Sequence, residues 1–71
     1  MTYESFTAYY GGTDIVTLRQ YAAECSVKDG SFNDDPERAA MFTRLADEKE
    51  RGVVFASSTE GGKLHYVRRT A

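Results

Sequence analysis

The residue types that could carry out acid–base chemistry are concentrated near the C-terminus, where His65-Tyr66 is followed by Arg68-Arg69. A small nuclease site built from them would use His65 as its general base. Side chains alternate between the two faces of a strand, so Tyr66 and Arg68 would lie on the face opposite to His65. These side chains cannot converge from the strand alone, and the carboxylates that would assist them are distant in sequence. We therefore predict that the protein has no enzymatic activity.

Other motifs with chemical potential are incomplete. The segment GGTD (11–14) precedes a predicted helix, as phosphate-binding loops do, but no Lys-Ser or Lys-Thr pair follows it and Asp14 would repel a phosphate. A single cysteine, Cys25, and a single histidine are too few for a structural zinc site. Asp34-Asp35 lacks the spacing of a calcium loop. The sequence therefore predicts a capped tight turn, an inert thiol, no metal site and no cofactor.

The composition is typical of a small acidic globular protein. The 71 residues suffice for one domain, over 1–71, and their formal net charge of -2 gives the whole chain no broad attraction for nucleic acid. No apolar run approaches the roughly 20 residues of a membrane-spanning helix. The first residues lack the basic and apolar regions of a signal peptide. We expect a cytoplasmic protein that does not contact membranes.

Strand-like segments are predicted at both ends of the chain. The aromatic segment 3–10 has the composition of a strand. Two apolar-rich segments around Glu60-Gly61-Gly62 predict an antiparallel hairpin over 53–69. With two helices between these ends, the expected fold is α+β with the order β-α-α-β-β. Its three-stranded antiparallel sheet would be covered on one face by the two helices.

The two predicted helices lie near 13–25 and 35–51, where apolar residues recur at helical spacing. We expect the two helices to face each other through four apolar residues: Ile15, Leu18, Phe42 and Leu45. Short polar residues favour helix starts, and proline suits the first helical position. The candidate caps are Thr13 or Asp14 for the first helix, and Asp34 or Asp35 before Pro36 for the second.

The second half of the chain resembles the end of a winged-helix domain. It consists of a predicted helix, Gly52, an apolar strand, a Gly-rich turn and a strand that ends in two arginines. The expected order matches that fold without its leading helix. The resemblance implies a DNA-binding transcriptional regulator, and the hairpin residues that would meet nucleic acid are Lys63, His65, Arg68 and Arg69. The outer face of the candidate recognition helix is of mixed sign, since it carries Asp47, Glu48 and Glu50 beside Arg44, Lys49 and Arg51. Carboxylates at the start of that helix would face phosphates, so DNA binding is the alternative hypothesis.

The leading hypothesis is a small non-enzymatic module that docks on a partner protein as a regulator or inhibitor. Five tyrosines and four phenylalanines are more than so small a core can bury, and tyrosine is enriched at interface hot spots. The candidate partner-binding residues are the aromatic Tyr3, Tyr9 and Tyr10 and the acidic Asp34, Asp35 and Glu37. Compact acidic chains of this kind include phage-encoded inhibitors of host machinery. A homodimer formed by strand addition is compatible with either function.

Overall fold

The computed structural model describes residues 2–25 and 35–69. Its elements in chain order are the helices α1 (Tyr3–Tyr10), α2 (Ile15–Cys25) and α3 (Pro36–Glu50) and the strands β1 (Val54–Ser58) and β2 (His65–Arg69). The α+β class is confirmed. The three-stranded sheet and the order β-α-α-β-β are wrong, because the first predicted strand is helix α1 and the described sheet has two strands.

Helix α1 forms because its aromatic residues follow the period of a helix. Tyr3, Phe6 and Tyr10 are separated by three and four residues, which places them on one helical face. The Thr2 hydroxyl caps this helix by accepting a hydrogen bond from the Ser5 N–H at 3.2 Å. Phe6 is fully buried, so this face is part of the core.

The starts of α2 and α3 are fixed by aspartate caps. The Asp14 carboxylate accepts a hydrogen bond from the Thr17 N–H at 3.0 Å, and Asp35 accepts one from the Arg38 N–H at 3.1 Å. Pro36 occupies the first turn of α3, as predicted. Asp14 is therefore the cap of α2, and Asp35 is the cap of α3; Asp34 lies outside the described residues.

Gly52 ends α3 and turns the chain into the hairpin. Its φ of 93° lies in the left-handed region that favours glycine. The Gly52 N–H donates to the Lys49 carbonyl at 3.1 Å, and the Val53 N–H donates to the Glu48 carbonyl at 3.0 Å. This pair of hydrogen bonds is a Schellman motif, which satisfies carbonyls left open at the helix end.

The core lies between the three helices and the inner face of the hairpin. Seven buried residues form it: Phe6, Leu18, Ala22, Phe42, Leu45, Ala46 and Phe55. The predicted burial of Leu18, Phe42 and Leu45 is confirmed, and Ile15 packs against this cluster. The rings of Phe6 and Phe42 meet edge to face with 4.8 Å between their centroids, which joins α1 to α3.

The predicted hairpin is confirmed, with Ala56 of β1 opposite Val67 of β2 at its centre. Phe55 and its partner Arg68 point towards the helices, so Ala56 and Val67 belong to the outer face. Helix α1 packs against β2. In the part of the chain that the structure describes, no helix is long and apolar enough to cross a membrane.

Candidate functional site

The three tyrosines proposed to contact a partner have different environments. Tyr9 is 76% exposed. Tyr10 is half-buried: its ring packs on Phe42 with 4.9 Å between centroids, and its hydroxyl accepts a hydrogen bond from Arg38 Nη2 at 2.7 Å. Tyr3 is half-buried against the core. Of these three, Tyr9 is therefore the side chain most available to a partner.

Among the described residues, the acidic candidates for partner binding do not form a common surface patch. The Asp35 carboxylate is engaged by the N–H of Arg38 as the cap of α3. Glu37 is exposed one turn into the helix. Asp34 lies outside the described residues. The geometry thus gives Asp35 a role in the fold, whereas Glu37 makes no hydrogen bond or ion pair with another described residue.

The basic candidates of the hairpin are divided between its two faces. Arg68 points inwards, and its Nη2 lies 2.7 Å from a carboxylate oxygen of Glu48. Arg69 is exposed opposite Val54, and Lys63 is exposed in the turn. The predicted separation of His65 from Arg68 is confirmed by the register. The structure does not bring these cations together into one basic surface.

The Glu48 cluster is the most connected polar arrangement in the described chain, and the sequence did not predict it. Glu48 is only 8% exposed, so the prediction that places it on the outer face of its helix is wrong. The Tyr3 hydroxyl donates a 2.5 Å hydrogen bond to Glu48 Oε1, and Arg68 approaches Oε2. The Arg44 Nε lies 3.7 Å from Oε1, and the Arg44 guanidinium lies 3.9 Å from the centre of the Tyr3 ring. One carboxylate therefore joins α1, α3 and β2.

The Tyr3 hydroxyl and two arginines satisfy the Glu48 carboxylate. Burial and the nearby Glu48 carboxylate raise the pKa of the Tyr3 hydroxyl well above its usual range, so Tyr3 stays protonated and acts as a donor. Glu48 in turn accepts a hydrogen bond from the Tyr3 hydroxyl and pairs with the guanidinium groups of Arg44 and Arg68. These contacts tie α1, α3 and β2 to one another, so the cluster stabilises the fold. Its sequence signal was the position of Glu48 three residues after the buried Leu45.

Lys49 supports the turn between α1 and α2. Its Nζ donates a 2.8 Å hydrogen bond to the Gly11 carbonyl and another to the Thr13 carbonyl. Burial lowers the pKa of Lys49. A Cβ atom at Gly11 would lie 2.6 Å from the Thr7 carbonyl oxygen, which explains the glycine. The segment 11–14 therefore presents its carbonyls to the Lys49 ammonium group. The tight turn predicted for this segment is confirmed.

A cleft of about 560 Å³ lies between α1 and the start of β2. We call it the Tyr9 cleft; its lining residues are Ser5, Ala8, Tyr9, Lys63, Leu64, His65 and Tyr66. Leu64 is 65% exposed, so two large side chains with apolar surface meet water in the same cleft. Lys63 is the charged residue of the lining, and the lining includes no carboxylate. The sequence predicted Tyr9 as a partner-binding residue because it is a tyrosine. Nothing in the sequence singled out Leu64, whose role depends on its position beside α1.

A second cleft, of about 610 Å³, lies along α3 and reaches Arg68 of β2. Arg44 and Arg51 line it together with Asp47 and Glu48. Asp47 also forms a 2.9 Å ion pair with Arg19. The surface that a recognition helix would present is thus of mixed sign.

Comparisons with protein families, with curated proteins and with solved structures find no match for this chain. Within residues 2–25 and 35–69, no group of three or more His, Cys, Asp or Glu side chains could hold a metal ion. The geometry of the described surface therefore carries the functional argument.

Proposed function

We propose that this protein is a non-enzymatic docking module that regulates or inhibits a partner protein through the Tyr9 cleft. The observation that carries the proposal is the joint exposure of Tyr9 and Leu64 in one cleft. Isolated exposed apolar residues are normal, whereas an aromatic and an aliphatic residue exposed in the same cleft offer a partner more apolar contact than either would alone. Tyrosine suits this role because its ring gives a large contact area and its hydroxyl tolerates water.

The charge of the cleft defines the partner segment. Lys63 lines the cleft, and no carboxylate is among the lining residues. The cleft therefore differs in charge from the chain as a whole, whose formal net charge is -2. An apolar side chain next to an acidic one would fill the space beside Tyr9 and Leu64 and pair with Lys63. Electrostatic complementarity of this kind favours correct docking and speeds association.

A capture experiment with matched variants tests this proposal. Immobilised wild-type protein is compared with Tyr9→Ser and with Leu64→Ser, and retained proteins are identified by mass spectrometry. Val16→Ser is the control, because Val16 is 68% exposed on α2 and does not line the Tyr9 cleft. We expect a protein that the wild type and the control retain and that both cleft variants lose. Equal retention by all four proteins would refute docking at this cleft.

DNA binding is a second candidate, and helix α1 is the observation that favours it. Three helices followed by a hairpin is the element order of a winged-helix domain, with the leading helix that the sequence pattern lacked. The charges oppose this candidate, because Glu48 engages both Arg44 and Arg68 near the outer face of α3. Phosphate contacts supply most of the affinity for DNA, and they require available cations.

A duplex DNA titration separates the two candidates. We expect weak binding or none near physiological salt. Sub-micromolar binding that falls steeply with salt would instead support the winged-helix function. In that case, Lys63→Ala combined with Arg69→Ala should flatten the salt dependence, because these two exposed cations of the hairpin would meet phosphates.

A further inference from the structure

Strand β1 has an open edge. Within the described residues it pairs with β2 alone, so the backbone groups along its other edge have no strand partner. Helix α1 packs against β2, and no described helix makes a comparable contact with β1. Unpaired N–H and C=O groups of this kind are a template for another strand.

The sequence of β1 lacks the devices that protect an edge. Its five residues, Val54–Ser58, include no charge and no proline. Val54 is 54% exposed on the outer face, beside Ala56 and Val67. A two-stranded hairpin is marginal as a sheet and gains stability from further strands. Among the described residues the edge is therefore unpaired, and its sequence is suited to strand pairing.

We infer that β1 pairs antiparallel with β1 of a second copy of this chain, which forms a symmetric dimer with the continuous sheet β2-β1-β1-β2. A two-fold axis through Ala56 is the arrangement that pairs all five residues. Val54 of each copy then lies opposite Ser58 of the other, and Phe55 opposite Ser57. Such an interface is self-complementary, as a two-fold dimer requires.

The side chains support this register. The two Ala56 residues meet on the axis, where their small size allows close approach. On the outer face they complete an apolar row between the two copies of Val67, since Ala56 and Val67 are neighbours within each hairpin. Because β1 carries no charge, the two copies bring no like charges into direct opposition. The Tyr9 cleft lies between α1 and β2 and is left open.

Sedimentation equilibrium of the full chain tests the dimer. We expect the wild type to show a dimer mass that dissociates on dilution. Ala56→Lys should weaken the dimer by up to about fivefold, because like charges directly opposite across a strand pair cost up to about 1 kcal/mol. Val67→Lys is the control, since it adds the same charge to the outer face one strand away from the axis. A monomeric wild type, or equal weakening by both variants, would overturn the inference.

Cysteine cross-linking tests the register independently. In a Cys25→Ser background, Ala56→Cys should form a disulfide-linked dimer under oxidation, because residues directly opposite in an antiparallel pair have Cα atoms about 4.5–5.5 Å apart. Val54→Cys should not, since the two copies of Val54 would lie about 14 Å apart along the strands. Circular dichroism confirms that both variants are folded. Cross-linking at Val54 but not at Ala56 would overturn the proposed register.

Discussion

The Glu48 carboxylate shows how one residue can hold three elements together. Its partners Tyr3 and Arg68 come from α1 and β2, and both contact the Glu48 side chain of α3. A buried carboxylate costs several kcal/mol unless donors satisfy it. Removing one donor should therefore lower the free energy of unfolding, whereas removing the same group from an exposed residue should change it little.

The variant Tyr3→Phe tests this cluster because it removes only the hydroxyl group of Tyr3. We expect the free energy of unfolding to fall by about 1–2 kcal/mol, because Glu48 loses the hydrogen bond from the Tyr3 hydroxyl. Tyr9→Phe makes the same chemical change at an exposed ring and should alter stability by less than about 0.5 kcal/mol. Urea unfolding of both variants measures the difference. Equal effects would show that the Tyr3 hydroxyl does not stabilise the fold.

Alkaline pH should weaken the folded state through the same residue. The pKa of Tyr3 is raised in the folded protein, first by burial and then by Glu48. The unfolded chain ionises Tyr3 near the ordinary value of about 10, so the stabilisation is complete below that pH and is lost as pH rises further. We expect the unfolding free energy to fall above about pH 10, and less steeply in Tyr3→Phe. Identical slopes in the two proteins would contradict this assignment.

At the scale of elements, α1 shows which sequence signals were decisive. The aromatic composition of 3–10 favoured a strand, but strand propensity depends strongly on context. The spacing of Tyr3, Phe6 and Tyr10 was the better signal, and burial of Phe6 makes a short helix stable that would not form alone. The helices α2 and α3 were predictable because apolar period and caps agreed. The Tyr9 cleft was not, since it requires α1 beside β2.

The cap of α3 gives a prediction for a single element. Asp35→Ala should lower the free energy of unfolding by about 1 kcal/mol, because the Arg38 N–H loses its acceptor. Glu37→Ala is a suitable control, since Glu37 is exposed in the same turn and makes no described hydrogen bond or ion pair. Thermal unfolding followed by circular dichroism compares the two. A larger loss for Glu37→Ala would mean that the acidic start of α3 acts through its charge.

At the scale of the molecule, a small chain depends on few core residues. Phe42 contacts the aromatic residues of α1 and α2, with centroid distances of 4.8 Å to Phe6 and 5.3 Å to Tyr21. Phe42→Ala should cost about 3–5 kcal/mol, and the single core of a domain this small rarely supplies more than about 3–5 kcal/mol. We therefore expect Phe42→Ala to be largely unfolded by circular dichroism. Cooperative melting near the wild-type temperature would contradict the assigned core.

We propose that Tyr9 and Leu64 in the Tyr9 cleft bind a partner protein and that neither exposed side chain is needed for folding. The most direct measurement is the dissociation constant of the captured partner for wild type and Tyr9→Ala, by isothermal titration. We expect Tyr9→Ala to keep the wild-type free energy of unfolding and to bind about 30-fold more weakly, as loss of a hot-spot aromatic residue does. An unchanged dissociation constant in the folded variant would contradict the claim.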